Sequence, residues 1–532
     1  MSGWMQHLAI LPIALPLLAG AVMIPMEDQR GRVRAGLGIA SAVALLVVAV
    51  LLAWQASLGG PAQVYRLGNW PATFGIVLVV DRLSALMLVL TAVLGLAALV
   101  FSLTRWQRMG AHFHALFQFQ LMGLNGAFLT GDLFNLFVFF EVLLAASYGL
   151  ALHGSGVARV KAGLHYISIN LAASLLFLVG VSMIYGVAGT LNMADLASRI
   201  PRMAAENRLL LEAGAAILGM AFLVKAAMWP FGFWLGPTYA AASPPAAAIF
   251  SLMSKVGIYA ILRLSLLLFG EEAGASAGFG GGWLLAGGIL TIGFGAVSVL
   301  ATQDLSRLAG ACVLISSGTL LAAIGAGQVA VTGGALIYLA SSALGIGALF
   351  LLIELLERGR EIGADVLAVT LEAFGDGEAE DREDDEVGTA IPATMAILGL
   401  SFLCCALVLA GLPPLSGFIG KFAILTGILN PGGLGRGPVA LSPGGWALLA
   451  ALLLSGFATV LAMARAGIRS LWNTTRSVPV VGVVEIAPVL LLLGLCVAMT
   501  AAAGPVTRYM QATAASLHAP QDYVRSVMVP RP

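Results

Sequence analysis

Apolar blocks of eighteen or more residues recur along the whole length of this 532-residue chain. About 20 apolar residues, wound as a helix, cross the roughly 30 Å hydrocarbon core of a bilayer. Inside that core every peptide N–H and C=O must be satisfied internally, which leaves only helices and closed barrels. A barrel would alternate polar and apolar residues over segments of about ten, and no such alternation occurs. Charged residues make up only 10% of the chain, against about 25% in a soluble domain. The reading is an all-α polytopic membrane protein.

Fourteen spans are expected, at 4–25, 33–55, 82–104, 112–130, 133–152, 162–188, 208–229, 244–269, 281–302, 308–326, 331–356, 391–429, 443–465 and 484–504. The twelfth is too long for one crossing and contains Pro413-Pro414, so it reads as broken. The first follows Ser2-Gly3 without a basic flank or a small-residue cleavage site, and reads as a span rather than a removable signal. Short loops after odd-numbered spans hold thirteen Lys and Arg, among them Arg32, Arg34, Arg105, Arg108, Arg159 and Lys161, against five in the even-numbered loops. By the positive-inside rule the odd loops are cytoplasmic and both termini lie outside.

Cys312, Cys404, Cys405 and Cys496 all sit in apolar spans, none with metal or redox spacing. There is no phosphate-cradling glycine loop, CxxC or haem-attachment motif. The expectation is therefore no cofactor, no metal and no nucleic-acid partner; the lipid bilayer is the surrounding medium.

Only four lysines occur, Lys161, Lys225, Lys255 and Lys421, and three of them fall inside spans. An ammonium at the bilayer centre costs about 2.5–3.5 kcal/mol on insertion scales. A guanidinium stays protonated, whereas a buried ammonium can give up its proton. Snorkelling to an interface would account for Lys161 but not for Lys255, about midway along its span. Each of the other two has a helix defect nearby. Pro230 follows Lys225 by five residues, and Pro413 and Pro414, which free the carbonyls of Leu409 and Ala410, precede Lys421. Broken helices at membrane depth face protein or water and mark ion sites in transporters.

Glu141 lies nine residues into a span of twenty, close to the midplane. It is the expected partner of a buried lysine, Lys225 above all. Asp132 reads as a helix N-cap, and Asp81 pairs with Arg82 or with a neighbour. His112 and His114 read as interfacial. His165, four residues from Lys161, is a candidate proton relay.

"FQLMGLNGAFLTGDLFNLFVFFEVL", "FLVKAAMWPFGFWL", "ASPPAAAIFSLMSKVGIYAILR" and "GLPPLSGFIGKFAIL" resemble the antiporter-like family. That family includes membrane subunits of respiratory complex I and large subunits of the multisubunit monovalent cation/proton antiporters called Mrp, Mnh or Pha. The similarity covers about residues 5–505. The stretch "FLLIELLERGREIGADVLAVTLEAFGDGEAEDREDDEVG" resembles the D subunits of the Pha type.

The resemblance implies two inverted five-helix repeats, spans 4–8 and 9–13, each with a broken helix, in which spans 7 and 12, carrying Lys225 and Lys421, occupy corresponding places. The chain then divides into 1–111, 112–269, 281–465 with an acidic cytoplasmic loop at 357–390, and 484–532 with a short tail. It implies a buried charged axis at Glu141, Lys225, Lys255 and Lys421. It also implies partner subunits of the A, C, E, F and G types, and Na+ or K+ and H+ as the transported ions. Where many relatives carry His or Lys in span 11, this chain has Ser341 and Ser342. Serine can hold a water wire but cannot store a proton at neutral pH. Eight carboxylates between Asp376 and Glu386 read as a solvated loop, with cation attraction or docking to a basic partner as the alternatives. The tail from Val506 to Pro532 is too short for the long lateral helix of one complex I subunit. Three function classes follow: an antiporter subunit, a proton-pumping subunit of complex I or a membrane-bound hydrogenase, and a scaffold whose buried charges only fix helix register.

Overall fold

The computed structural model describes residues 3–26, 31–71, 75–110, 112–358, 393–430, 441–471 and 481–529. The acidic stretch at 376–386, and with it most of the 357–390 loop, lies outside the described residues.

The chain opens with α1 (Leu11–Met23) and α2 (Gly31–Ser57), then a two-stranded hairpin of β1 (Gln63–Arg66) and β2 (Val77–Val80). The hairpin is antiparallel, pairing Gln63 with Val80 and Arg66 with Val77. It was not expected, being too short to stand out beside the spans, and β2 is wholly buried. There follow α3 (Arg82–Ser102), α4 (Phe113–Leu129), α5 (Leu133–Ala151), α6 (Val157–Ala188) and α7 (Met193–Arg199). Next come α8 (Ala205–Lys225), α9 (Leu235–Ala241), α10 (Pro244–Phe269), α11 (Gly281–Ala301), α12 (Leu305–Gly325) and α13 (Val329–Glu357). The last group is α14 (Ala393–Ala410), α15 (Ser416–Leu429), α16 (Pro443–Leu471), α17 (Val483–Ala501), α18 (Ala503–His518) and α19 (Gln521–Met528).

Twelve helices among the described residues are long and apolar enough to cross a membrane. The shorter α1 and α4 occupy the two remaining expected segments. The protein is a multi-pass α-helical membrane protein. The helices α3, α5 and α12 are capped by Asp81, Asp132 and Asp304, whose carboxylates accept backbone N–H groups of the first turn.

At the centre is α13, buried from Val331 to Leu356 and packed on all sides by α3, α10, α12, α14, α15, α17 and α18. The neighbouring α10 and α12 are nearly as enclosed, whereas α6, α8, α11 and α16 keep exposed apolar faces. Leu164, Leu171, Leu175, Trp283, Val297, Leu454 and Phe457 are among the large side chains so exposed, as surfaces that meet lipid or partner subunits require. The tail beyond α17 forms α18 and α19, which fold back on the protein: Tyr509 Oη donates to Arg82 O at 2.8 Å, and Arg66 donates to Val527 O at 2.7 Å.

Both broken spans are present. In the seventh, α8 ends at Lys225, earlier than the expected 229, because Pro230 offers no N–H and bars the helix from the residue before it. Ala227 takes a positive φ of 57°. The Trp229 N–H, left without a helical acceptor, donates to Thr291 Oγ1 on α11 at 2.9 Å. In the twelfth, α14 ends at Ala410 and α15 restarts at Ser416 beyond the two prolines.

Candidate functional site

The three span lysines are buried, with Lys255 fully enclosed and Lys225 and Lys421 each 5% exposed. Lys225 is the last residue of α8, so the break itself delivers it to the interior. Its ammonium lies 4.9 Å from the centre of the Phe140 ring on α5 and has no hydrogen-bond partner. The neighbouring residue on that helix is Glu141, whose carboxylate accepts a hydrogen bond from Ser174 Oγ on α6. The expected ion pair is thus not closed in this structure. The serine holds the carboxylate on the α6 side, and the aromatic face holds the ammonium. A cation over an aromatic face is stabilised by about 0.5–2 kcal/mol.

Lys255 belongs to α10, which presses on α8 at Gly257. A Cβ there would stand 2.9 Å from Phe222 O and 2.9 Å from Ala226 N, so only glycine lets the two lysine-bearing helices approach this closely. On its other side Lys255 enters a chain of hydroxyls. Its Nζ donates to Ser316 Oγ of α12 at 2.7 Å, Ser316 donates to Ser342 Oγ of α13 at 2.9 Å, and Ser342 donates to Leu339 O at 3.2 Å. Adjacent residues on a helix point about 100° apart, and Ser341 accordingly faces α15, where its hydroxyl meets Ser416 Oγ at 2.8 Å. Ser416 opens the helix that carries Lys421.

Lys421 Nζ donates to Ala410 O at 2.8 Å. That is one of the carbonyls freed by Pro413 and Pro414, so the ammonium caps the end of the interrupted helix. Lys225 ends the first half of its broken span, while Lys421 sits in the second half and reaches back across the gap.

His165 stands apart. It is exposed on α6, with Nδ1 against Lys161 O at 2.9 Å, in a surface pocket of about 580 Å³ that Lys161, Asp304 and Arg307 also line. The i, i+4 spacing that made it a relay candidate puts it on the outer face of the helix, away from the buried lysines. Asp81 finds its neighbour in Arg263 rather than Arg82, through paired bonds of 2.5 and 2.8 Å. Sequence reading passed over Ser174, Ser316 and Ser416. A serine in an apolar span ordinarily bonds to a carbonyl of its own helix, so nothing in its spacing announces a partner on another.

No cluster of His, Cys, Asp and Glu able to hold a metal exists among the described residues. A buried set of ammonium, carboxylate and hydroxyl groups can accept, hold and pass protons.

The family described as NADH:quinone oxidoreductase/Mrp antiporter, TM, matches residues 130–434. A Rhizobium meliloti (strain 1021) protein, described as the D component of a probable K(+)/H(+) antiporter, is 58% identical over 99% of this chain and 98% of that one. The D component of the Na(+)/H(+) antiporter of Alkalihalophilus pseudofirmus is 33% identical over 98% of this chain and 100% of that one. Among solved structures, a chain of the Mrp complex from Dietzia sp. DQ12-45-1b superposes with a TM-score of 0.82 at 24% identity, covering 99% of this chain and 100% of that one. The chain belongs to the transmembrane family shared by NADH:quinone oxidoreductase and the Mrp antiporters.

Proposed function

We propose that this chain is the proton-translocating D component of a multisubunit Na+/H+ or K+/H+ antiporter in a bacterial inner membrane. The observation that carries the reading is the interior chain from Lys255 through Ser316 to Ser342 on α13, with Ser341 of the same helix meeting Ser416 at the start of the helix that carries Lys421. Protons pass between Glu141, Lys225, Lys255 and Lys421. Lys225 exchanges between the Phe140 ring and a closed pair with Glu141, and that exchange gates delivery to Lys255. Identity of 58% along almost the entire chain to a component of a K+/H+ antiporter favours antiport over a redox-driven complex. The chain is a transporter subunit rather than an enzyme, both termini face outward, and partners of the A, C, E, F and G types complete the cation path.

The test is dissipation of a preformed ΔpH by added sodium or potassium in membrane vesicles carrying the whole complex. Lys225→Ala leaves Glu141 without its counter-charge and is expected to abolish cation-driven dissipation in an assembled complex. Exchange at the unsubstituted level would refute the role given to the relay.

A further inference from the structure

One buried hydroxyl beside the proton relay has no place in it so far. Tyr338 of α13 is 3% exposed and lies four residues before Ser342, on the same face of the helix. Its backbone is pinned by α15: a Cβ at Gly420, the residue before Lys421, would stand 2.8 Å from both Tyr338 N and Tyr338 Cα. The phenol reaches toward α12, where its hydroxyl engages Thr319 and Ser316. With backbone and ring enclosed in a close-packed interior, rotation of the O–H bond is the freedom left to it.

The protons around Ser316 give that rotation a consequence. A serine hydroxyl has one proton and two lone pairs. Ser316 directs its proton to Ser342 and takes the Lys255 ammonium on one lone pair. The second lone pair is open to Tyr338. Thr319 has its proton on Ile315 O at 2.8 Å, so toward Tyr338 it is an acceptor. A phenol keeps its proton at neutral pH and has only one to donate, to Ser316 or to Thr319. Donated to Ser316, it fills the last lone pair and confines the Ser316 proton to the line between Lys255 and Ser342. Donated to Thr319, it leaves the phenol oxygen free to accept, and the Ser316 proton can turn from Ser342 to Tyr338.

We propose that Tyr338 is a two-position switch on the proton chain, joining Ser316 to Ser342 when its proton lies on Ser316 and parting them when its proton lies on Thr319. The inference rests on the relay proposed above and names what regulates it. In the joined position Lys255 gives a proton to Ser316 as Ser316 gives its own to Ser342; the phenol proton turns and is never transferred. Tyr338 is thus a positioning residue, acting through Ser316. A chain that was always joined would pass protons without a cation.

The experiment measures ΔpH dissipation in vesicles carrying the whole complex, first without and then with added sodium or potassium. Tyr338→Phe removes the partner to which the Ser316 proton turns aside. Thr319→Val independently removes the alternative acceptor of the phenol proton. Both variants hold the chain joined, and each is expected to raise cation-independent dissipation roughly two- to tenfold in a complex of unchanged melting temperature. Adding Ser316→Ala to either should abolish that leak. A tyrosine that served packing alone would give a lower melting temperature and no leak. Absence of a leak from both assembled variants, or a leak that survives Ser316→Ala, would overturn the switch. Ordinary cation-driven exchange in Ser316→Ala alone would instead overturn the relay on which the switch acts.

Discussion

At the scale of single residues, the difference between lysine and arginine becomes a measurable one. Lys225→Arg keeps a cation near Phe140 and Glu141 but scarcely releases its proton. If the ammonium serves proton exchange, the arginine variant assembles normally and loses cation-driven flux on the order of tenfold or more. Ordinary flux across pH 7–9 from an assembled variant would show that charge alone is needed. Ser316 is the second test, because it is the acceptor of the Lys255 bond and the donor to Ser342. Ser316→Ala removes both contacts, and a hydrogen bond to a charged group contributes about 1.5–3 kcal/mol. Flux is expected to fall roughly tenfold with the complex still assembled, and Ser316→Thr, which retains a hydroxyl, should restore most of it. Undiminished transport in the alanine variant would remove the hydroxyl chain from the pathway.

At the scale of elements, the broken span of α14 and α15 depends on the absence of one side chain. A Cβ at Gly417 would overlap Val408 O and lie 2.8 Å from Val408 C, backbone atoms that cannot swing aside. Gly417→Ala is expected to force the two halves apart, at a cost of about 1–3 kcal/mol or more, and to break the Lys421 bond to Ala410 O. The complex should melt at lower temperature and lose flux. Gly494→Ala, at a glycine with no atom within 4 Å of the added carbon, should leave both unchanged, and equal behaviour of the two variants would contradict the account. Spans and breaks are legible in the sequence because hydrocarbon thickness and proline chemistry impose them directly. Glu141, Lys225, Lys255 and Lys421 are legible because charge in an apolar helix has to be explained. What is not legible is contact: that Ser174 holds Glu141, that Lys225 rests on Phe140, that Lys421 caps Ala410. Those follow from helix rotation and from which helix lies alongside, neither of which leaves a periodic mark. The exposed position of His165 is not legible for the same reason, since four residues from Lys161 fixes its own helix face but not the direction of that face.

At the scale of the whole molecule, orientation can be read from two exposed positions on opposite faces. Ser155 follows α5 and Ala275 follows α10. Cysteines placed there in a background without native cysteines should react with a membrane-impermeant reagent from the cytoplasm at 155 and from outside at 275. The reverse pattern would invert the entry and exit sides. The same molecule is divided by α13, buried from Val331 to Leu356, with Ser342 turned to Lys255 through Ser316 and Ser341 turned to the helix of Lys421. Neither hydroxyl can carry charge for any appreciable time at neutral pH. A dividing wall that offers passage but no waiting room makes departure on one side and arrival on the other a single event. On the proposed pathway the two halves of the protein would be coupled in time: the first could not discharge until the second had a vacancy, and a stalled second half would silence the first.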